Sequence, residues 1–142
     1  MSDYEAQAEE WARKVFSSAV DEILTSGVFQ GARVEARIVW SLNNAVLIGQ
    51  IRENIDKAGF RWVIAGDDVP LDHVQGDVAE TPREALRHFC LKWQLGAEKV
   101  HEASQNDPDT GEQYRARADK LAKQAEDLYE LVESDTLWVG SE

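Results

Sequence analysis

Hydrophobic side chains between residues 4 and 26 recur every three or four positions, which is the spacing of one face of an α-helix. Ser2 or Asp3 would cap the start of this helix, and Gly27 would end it. The pattern therefore predicts an N-terminal amphipathic helix. Its apolar stripe consists of Ala8, Trp11, Ala12, Val15, Phe16, Ala19, Ile23 and Leu24.

Residues 33–40 alternate between apolar and polar side chains, which predicts a half-buried β-strand. Asn43-Asn44 can form a hairpin turn, and the apolar run at 45–51 then predicts a central strand. A turn at 56–59 leads to a third strand at 60–65. These short connections predict an antiparallel meander. One face of the first strand would carry Val34, Ala36, Ile38 and Trp40, and one face of the third strand would carry Phe60, Trp62 and Ile64.

Residues 66–80 have no regular period and predict a rigid acidic loop behind the third strand. Its carboxylates and its histidine could form a small-ligand or metal site, to which Asp77 would add an oxygen. Alternatively, a buried ion pair between Asp67 and Arg83 would make the loop a structural latch. The acidic spacing matches no known metal loop, so we expect no metal and no cofactor. The candidate ligand-binding residues are Asp67, Asp68, Asp72, His73, Arg83 and Arg87.

Thr81-Pro82-Arg83-Glu84 has the residue types of a helix start, with Thr81 as the cap and Pro82 at the first helical position. A second helix would follow a break at 106–111 and would be capped by Asp109 or Thr110. Both helices have heptad-like spacing, which predicts an antiparallel hairpin. The apolar positions are Leu86, Cys90, Trp93, Ala97 and Val100 in the first helix, and Tyr114, Ala118, Leu121, Ala125, Leu128 and Val132 in the second.

Together these elements predict an α+β fold, in which a small antiparallel sheet of three or four strands is packed by the N-terminal helix and the C-terminal helical hairpin. We expect the 142 residues to form a single domain. The helix, the sheet and the acidic loop would occupy 1–80, the hairpin 81–135 and a tail 136–142. Leu137-Trp138-Val139 is too apolar for a free tail and would pair with the sheet edge or fill a groove.

The sequence is strongly acidic, with a formal net charge of −12 at pH 7. Nucleic acids and anionic membranes attract proteins through a positive field, so we expect neither as a partner. A basic protein is the natural partner, although the same charge also favours solubility. The apolar runs are too short to span a bilayer, and the single cysteine, Cys90, cannot form an intramolecular disulfide. We therefore expect a cytoplasmic protein that is a monomer or a homodimer.

The residue spacing does not favour an enzyme. Cys90 would be a nucleophile only beside a histidine, and His88 lies on another face of the same predicted helix. The segment that begins at Asp107 resembles a calcium loop, but it contains Pro108 and has Ala118 at the twelfth position, where a glutamate would bind the ion. We therefore expect no catalytic residues.

Two segments carry a family resemblance, namely Trp62-Val63-Ile64-x-Gly66-Asp67-x-x-Pro70-x-Asp72-His73-Val74 and Pro82-Arg83-Glu84-Ala85-Leu86-Arg87-x-Phe89. Together with Trp11, Trp40 and Trp93, they resemble an uncharacterised family of small bacterial, mainly proteobacterial, cytosolic proteins. That family is known only as a domain of unknown function. The resemblance implies one cytosolic α+β domain, and it implies no particular activity.

Two functions remain open. The first is a non-enzymatic protein-binding module, for example an immunity-type protein that neutralises a toxin, or an adaptor. The second half of the last helix, residues 126–135, has acidic residues and no basic ones, so it would attract a basic partner. The second function is a small-ligand or metal-binding protein with its site on the loop from Asp67 to Asp77. The candidate partner-binding residues are Glu126, Asp127, Glu130 and Glu133.

Overall fold

The chain begins with one helix, continues with four strands and ends with two further helices in the computed structural model. The structure describes residues 3–29, 33–55, 58–105 and 111–140. The presence of these helices and strands confirms the predicted α+β class. The chain divides into two compact units, Met1–Ala85 and Leu86–Glu142, and the single domain stays a prediction. The elements are α1 (Asp3–Thr25), β1 (Val34–Leu42), β2 (Val46–Glu53), β3 (Phe60–Gly66), β4 (Val69–Gln75), α2 (Pro82–Ser104) and α3 (Gly111–Val132).

The four strands form one sheet in the order β1-β2-β3-β4, and every neighbouring pair is antiparallel. The predicted meander is therefore confirmed, with four strands. α1 packs on one face of this sheet because its buried stripe meets apolar side chains of β2 and β3. The shared core consists of Ala12, Phe16, Ala19 and Ile23 from α1, with Leu47, Ile51, Val63 and Ala65 from the sheet.

Gly49 lets α1 approach the sheet closely. A Cβ atom at this position would lie 2.5 Å from Cε1 of Phe16 and 2.9 Å from the carbonyl oxygen of Arg37. No side chain fits between these neighbours, so the central strand has glycine where the aromatic ring of Phe16 packs.

At the end of α1, the backbone N–H of Ser26 donates to the carbonyl of Glu22, and the helix stops at Thr25. Asp3 lies inside its first turn, while Ser2 is outside the described residues.

The alternation predicted for β1 is wrong at Trp40. The pairing with β2 shifts between Ile38 and Trp40, so that Ile38 pairs with Gly49 and Trp40 with Ile48. Gly49 and Ile48 are successive residues with opposite faces, and Trp40 therefore lies on the face opposite Ile38. β1 is also far more open than a half-buried strand, because residues 35–38 are all exposed while Trp40 is buried.

The hairpin turn at Asn43-Asn44 is confirmed. Asn44 has a φ of 59°, a left-handed conformation that asparagine tolerates, and the N–H of Ala45 donates to the carbonyl of Leu42 over 3.0 Å. The turn predicted at 56–59 lies partly outside the described residues, because residues 56 and 57 are not among them.

The acidic loop predicted at 66–80 is wrong over residues 69–75, which form β4. Gly66 pairs with Val69, so Asp67 and Asp68 make a tight turn between β3 and β4. Asp68 adopts a φ of 54° there. Pro70 concealed the strand in the sequence, because proline is rare in sheet interiors. β4 lies at the edge of the sheet, where proline is tolerated.

Trp62 is buried, with 1% of its surface exposed, as its position in the third strand predicted. Its indole N–H lies 3.1 Å from both the carbonyl of Gly76 and the carbonyl of Ala79. Phe60 meets the indole edge-on, with 5.3 Å between the ring centroids. One tryptophan thus fixes the segment that leaves β4, by packing and by hydrogen bonding.

The predicted helix start at Thr81 is confirmed. The Thr81 hydroxyl accepts a hydrogen bond from the N–H of Glu84 at 3.1 Å, and the Glu84 carboxylate accepts one from the N–H of Glu80 at 2.9 Å. This is a capping box whose return bond reaches one residue further upstream than usual. The cap predicted at Asp109 or Thr110 lies outside the described residues.

α2 and α3 pack together as the predicted hairpin, and Nε2 of His101 lies 2.9 Å from Oδ1 of Asp119 across them. Two alternatives were open for Leu137-Trp138-Val139, and the edge strand is the one that is wrong, because residues Asp135–Trp138 form a short 3₁₀-helix. Trp138 is fully buried and donates its indole N–H to the carbonyl of Leu131 over 2.8 Å.

None of the helices in the described ranges is long and apolar enough to cross a membrane.

Candidate functional site

The turn between β3 and β4 holds the first two predicted site residues. Oδ1 of Asp67 accepts a hydrogen bond of 3.2 Å from the indole N–H of Trp11, and the N–H of Asp67 donates to the carbonyl of Ala45. Asp67 and Asp68 are both exposed. Because Asp67 is exposed, it does not form the buried ion pair with Arg83 that would make this segment a latch. Its carboxylate instead ties the turn to α1.

Asp72 and His73 lie on opposite faces of β4. Asp72 pairs with Ile64 and His73 with Val63, and successive residues of a strand point to opposite sides. The carboxylate of Asp72 turns back to accept the N–H of His73 at 2.8 Å. Nδ1 of His73 accepts a hydrogen bond from Nε of Arg61, also at 2.8 Å. That ring nitrogen is therefore already engaged.

The two predicted arginines lie at the start of α2. Arg83 is half-buried in the first turn, and Arg87 is exposed one turn later. The structure thus spreads the predicted ligand-binding residues over a turn, two faces of a strand and a helix. Among the residues that the structure describes, no group of three or more His, Cys, Asp or Glu side chains is placed to hold a metal ion.

Cys90 is fully buried on α2. Burial raises the pKa of its thiol to about 12, because a thiolate loses its hydration in the protein interior. The thiol therefore stays protonated at neutral pH and lacks the charge that a cysteine nucleophile needs. The neighbouring His88 packs edge-on against Phe89, with 6.5 Å between the ring centroids.

A groove of about 490 Å³ on the helical hairpin was missed in the sequence. Its apolar part is formed by Leu91 and Leu95, which are 45% and 58% exposed. These leucines are four residues apart, so they lie on one side of α2, away from the predicted apolar positions of that helix. Their spacing was the available signal. The remaining lining residues are Gln94, Ala97, Glu98, His101, Ala122 and Glu126.

The predicted acidic half of α3 is exposed, and one of its residues reaches the groove. Glu126 lines the groove together with Glu98 of α2. Asp127 lies 3.4 Å from the ammonium group of Lys123, an exposed pair that neutralises part of its charge. Glu130 near the end of α3 and Glu133 just after it are exposed as well. The hairpin thus combines an open apolar strip with carboxylates beside it.

No curated protein and no solved structure matches the chain. A family model, described as a domain of unknown function (DUF4826), matches residues 5–138. This match runs from α1 through the sheet and the helical hairpin to the buried Trp138, and so includes every element described above. The chain therefore belongs to the DUF4826 family of domains of unknown function.

Proposed function

We propose that the protein is a non-enzymatic protein-binding module and that its helical hairpin receives a basic, amphipathic segment of a partner protein. The groove that contains Leu91 and Leu95 carries this proposal. Two neighbouring leucines that are about half exposed leave apolar surface in water, and a partner's apolar side chains would remove it. Glu98 and Glu126 beside them would meet basic side chains of the same partner segment.

The acidic residues near the end of the hairpin and the leucines of the groove would affect different steps of binding. Glu130 and Glu133 lie beyond the groove and are exposed, so they act on an approaching basic partner through the long-range field. They should raise the association rate, and this effect should weaken with salt. Leu91 and Leu95 would contact the bound segment directly, so they should mainly set how slowly it leaves.

The finer proposal is an immunity-type or adaptor protein in the bacterial cytoplasm. Such a protein acts by covering a surface of another protein, which needs an interface and no catalytic group. The protonated, buried Cys90 and the divergent placement of Asp72 and His73 agree with this role. The strongly acidic composition suits a partner that binds through basic residues.

The test uses the full chain and two synthetic helical peptides with leucines at the same positions. One peptide has lysine at its polar positions and the other has glutamate. We expect the lysine peptide to bind with an association rate that falls as salt is added, and the glutamate peptide to bind far more weakly. The double variant Leu91→Ser/Leu95→Ser should dissociate from the lysine peptide on the order of tenfold faster, because the contacts with the leucines are lost.

The charge requirement has a matched control. Glu126→Gln/Glu130→Gln/Glu133→Gln removes three charges from α3 and the turn that follows it, and Glu9→Gln/Asp21→Asn/Glu22→Gln removes three exposed charges from α1. The first set should slow association markedly more than the second. Equal rates for both sets, or equal binding of both peptides, would contradict the proposed surface. If the two sets differ as expected, a photo-crosslinker at Gln94, inside the groove, would identify the natural partner in a native lysate.

A further inference from the structure

β1 presents an open edge of the sheet. It has a single strand neighbour, β2, within the described part of the chain, and its residues 35–38 are exposed. Ile38, an apolar residue, is 36% exposed there. An unpaired strand edge is a row of free N–H and C=O groups that another strand can bond. The other edge, β4, is protected by Pro70, which cannot donate a backbone hydrogen bond.

The direction of the backbone groups on β1 follows from its pairing with β2. The carbonyl of Arg33 accepts a hydrogen bond from the N–H of Asn54, so it points toward β2. The carbonyl of Arg37 also faces β2, because it lies 2.9 Å from the position of a Cβ on Gly49. Backbone groups alternate between the two sides of a strand. Val34, Ala36 and Ile38 therefore direct their N–H and C=O groups outward, to the open edge.

We propose that this edge pairs with the same edge of a second copy, antiparallel and with the two-fold axis at Ala36. Val34 then pairs with Ile38 of the second copy, and Ala36 pairs with Ala36. Each of these pairs exchanges both N–H···O bonds, since all the groups involved point outward. The resulting dimer is isologous, and the two sheets join into one continuous sheet.

The charges of β1 select this register. With the axis at Ala36, Glu35 lies opposite Arg37 of the second copy, and the two pairs related by the axis are both attractive. Moving the axis by one residue would oppose Glu35 to Glu35 or Arg37 to Arg37, which is repulsive. Residues 35 and 37 also occupy the positions where opposite strands approach most closely, so the sign of their charges matters most there.

The neighbouring contacts fit the same arrangement. Glu35 accepts a hydrogen bond of 2.7 Å from Nη2 of Arg52, and Arg37 donates to Oε1 of Gln50 from both Nε and Nη2. In the dimer, Glu35 would lie between Arg52 of its own chain and Arg37 of the second copy. The charges of these three side chains would then alternate in sign across the joined sheet. The bulge after Ile38 ends the regular edge, so pairing is confined to residues 34–38.

The test is the oligomeric state of the full chain at physiological salt, where the repulsion between two acidic molecules is screened beyond ~8 Å. Analytical ultracentrifugation should show a reversible dimer whose fraction rises with protein concentration. Glu35→Arg and Arg37→Glu should each raise the dimer dissociation constant by about tenfold or more, because each reversal makes two attractive pairs repulsive. Mixing the two variants should restore dimerisation, since the charges across the axis are then opposite again.

Two further variants distinguish contacts across the dimer edge from contacts inside one chain. Arg52→Gln removes the ion pair with Glu35 inside one chain and should leave the dimer intact. Ala36→Pro removes an outward N–H and should abolish the dimer, while circular dichroism and the melting temperature show that the chain is folded. A wild-type chain that stays monomeric up to its solubility limit would overturn the proposal. It would also be overturned by a mixture of the reversed variants that forms no heterodimer.

Discussion

Trp62 offers a quantitative test of the core, because it contributes both packing and a buried hydrogen-bond donor. Its ring is 1% exposed, and its N–H serves the carbonyls of Gly76 and Ala79. Trp62→Ala removes both contributions. Trp62→Phe keeps an aromatic ring in place and removes the donor. The two variants therefore divide the free energy of unfolding that depends on Trp62 into its two parts.

The expected magnitudes differ between the two variants. Truncating a buried tryptophan to alanine costs about 3–5 kcal/mol, which includes the lost transfer free energy and the cavity. For a chain of 142 residues, such a loss lowers the melting temperature by roughly 10–17 °C. Trp62→Phe leaves two carbonyls without their donor, and a buried unsatisfied group costs about 1–3 kcal/mol. The phenylalanine variant should thus lie clearly between wild type and Trp62→Ala.

Trp11→Phe is the matched control, because it also removes one indole N–H. The acceptor of that N–H is the exposed carboxylate of Asp67, which water can solvate instead. Trp11 is only partly buried and this variant leaves no buried acceptor unsatisfied, so we expect it to be less destabilised than Trp62→Phe. Urea unfolding followed by far-ultraviolet circular dichroism measures all three free energies. If Trp62→Phe were no more destabilising than Trp11→Phe, the buried hydrogen bonds of Trp62 would have no energetic role.

Gly49→Ala should destabilise the chain by about 1–3 kcal/mol, because its Cβ would overlap Phe16 and the carbonyl of Arg37, and a wild-type urea midpoint would contradict the close packing of α1. Cys90 should make stability depend on pH in the alkaline range. Its folded-state pKa is raised from 9.0 to about 12, so the unfolded chain loses its proton first. The contribution of the protonated Cys90 thiol to the free energy of unfolding is therefore fully present below pH 9. It is lost as the pH rises toward 12, by ~2 kcal/mol at pH 10.5. Cys90→Ala should lack this part of the loss, and parallel stability–pH curves for the two proteins would refute the assignment.

The order of the helices and of the first three strands could be predicted from the sequence, because each of these elements has a local signal. The three- and four-residue spacing marked α1, and Thr81-Pro82 marked the start of α2. The bulge after Ile38 could not be predicted, since a periodic pattern carries no sign of an inserted residue until pairing with the neighbouring strand is known. The face of Trp40 was therefore wrong although the strand itself was correct.

The candidate sites were harder to predict than the fold. Asp72 and His73 are neighbours in the sequence, but β4 places their side chains on opposite faces, and β4 was hidden by Pro70. The leucines of the hairpin groove were visible as a pair four residues apart. Their exposure depends on how α2 and α3 pack, and this packing is set by contacts between helices that a sequence does not display.

The meander has a consequence for the route by which the first unit folds. Each strand pairs with its neighbour in the sequence, so closing β1–β2 or β3–β4 orders only a short connecting segment. α1 has to close a much longer loop, because Phe16 and Ala19 meet Leu47 and Val63. Its docking thus carries the largest entropic cost and should follow formation of the sheet. Native-state hydrogen exchange would then find the amides of α1 in a less protected unit than those of β2 and β3.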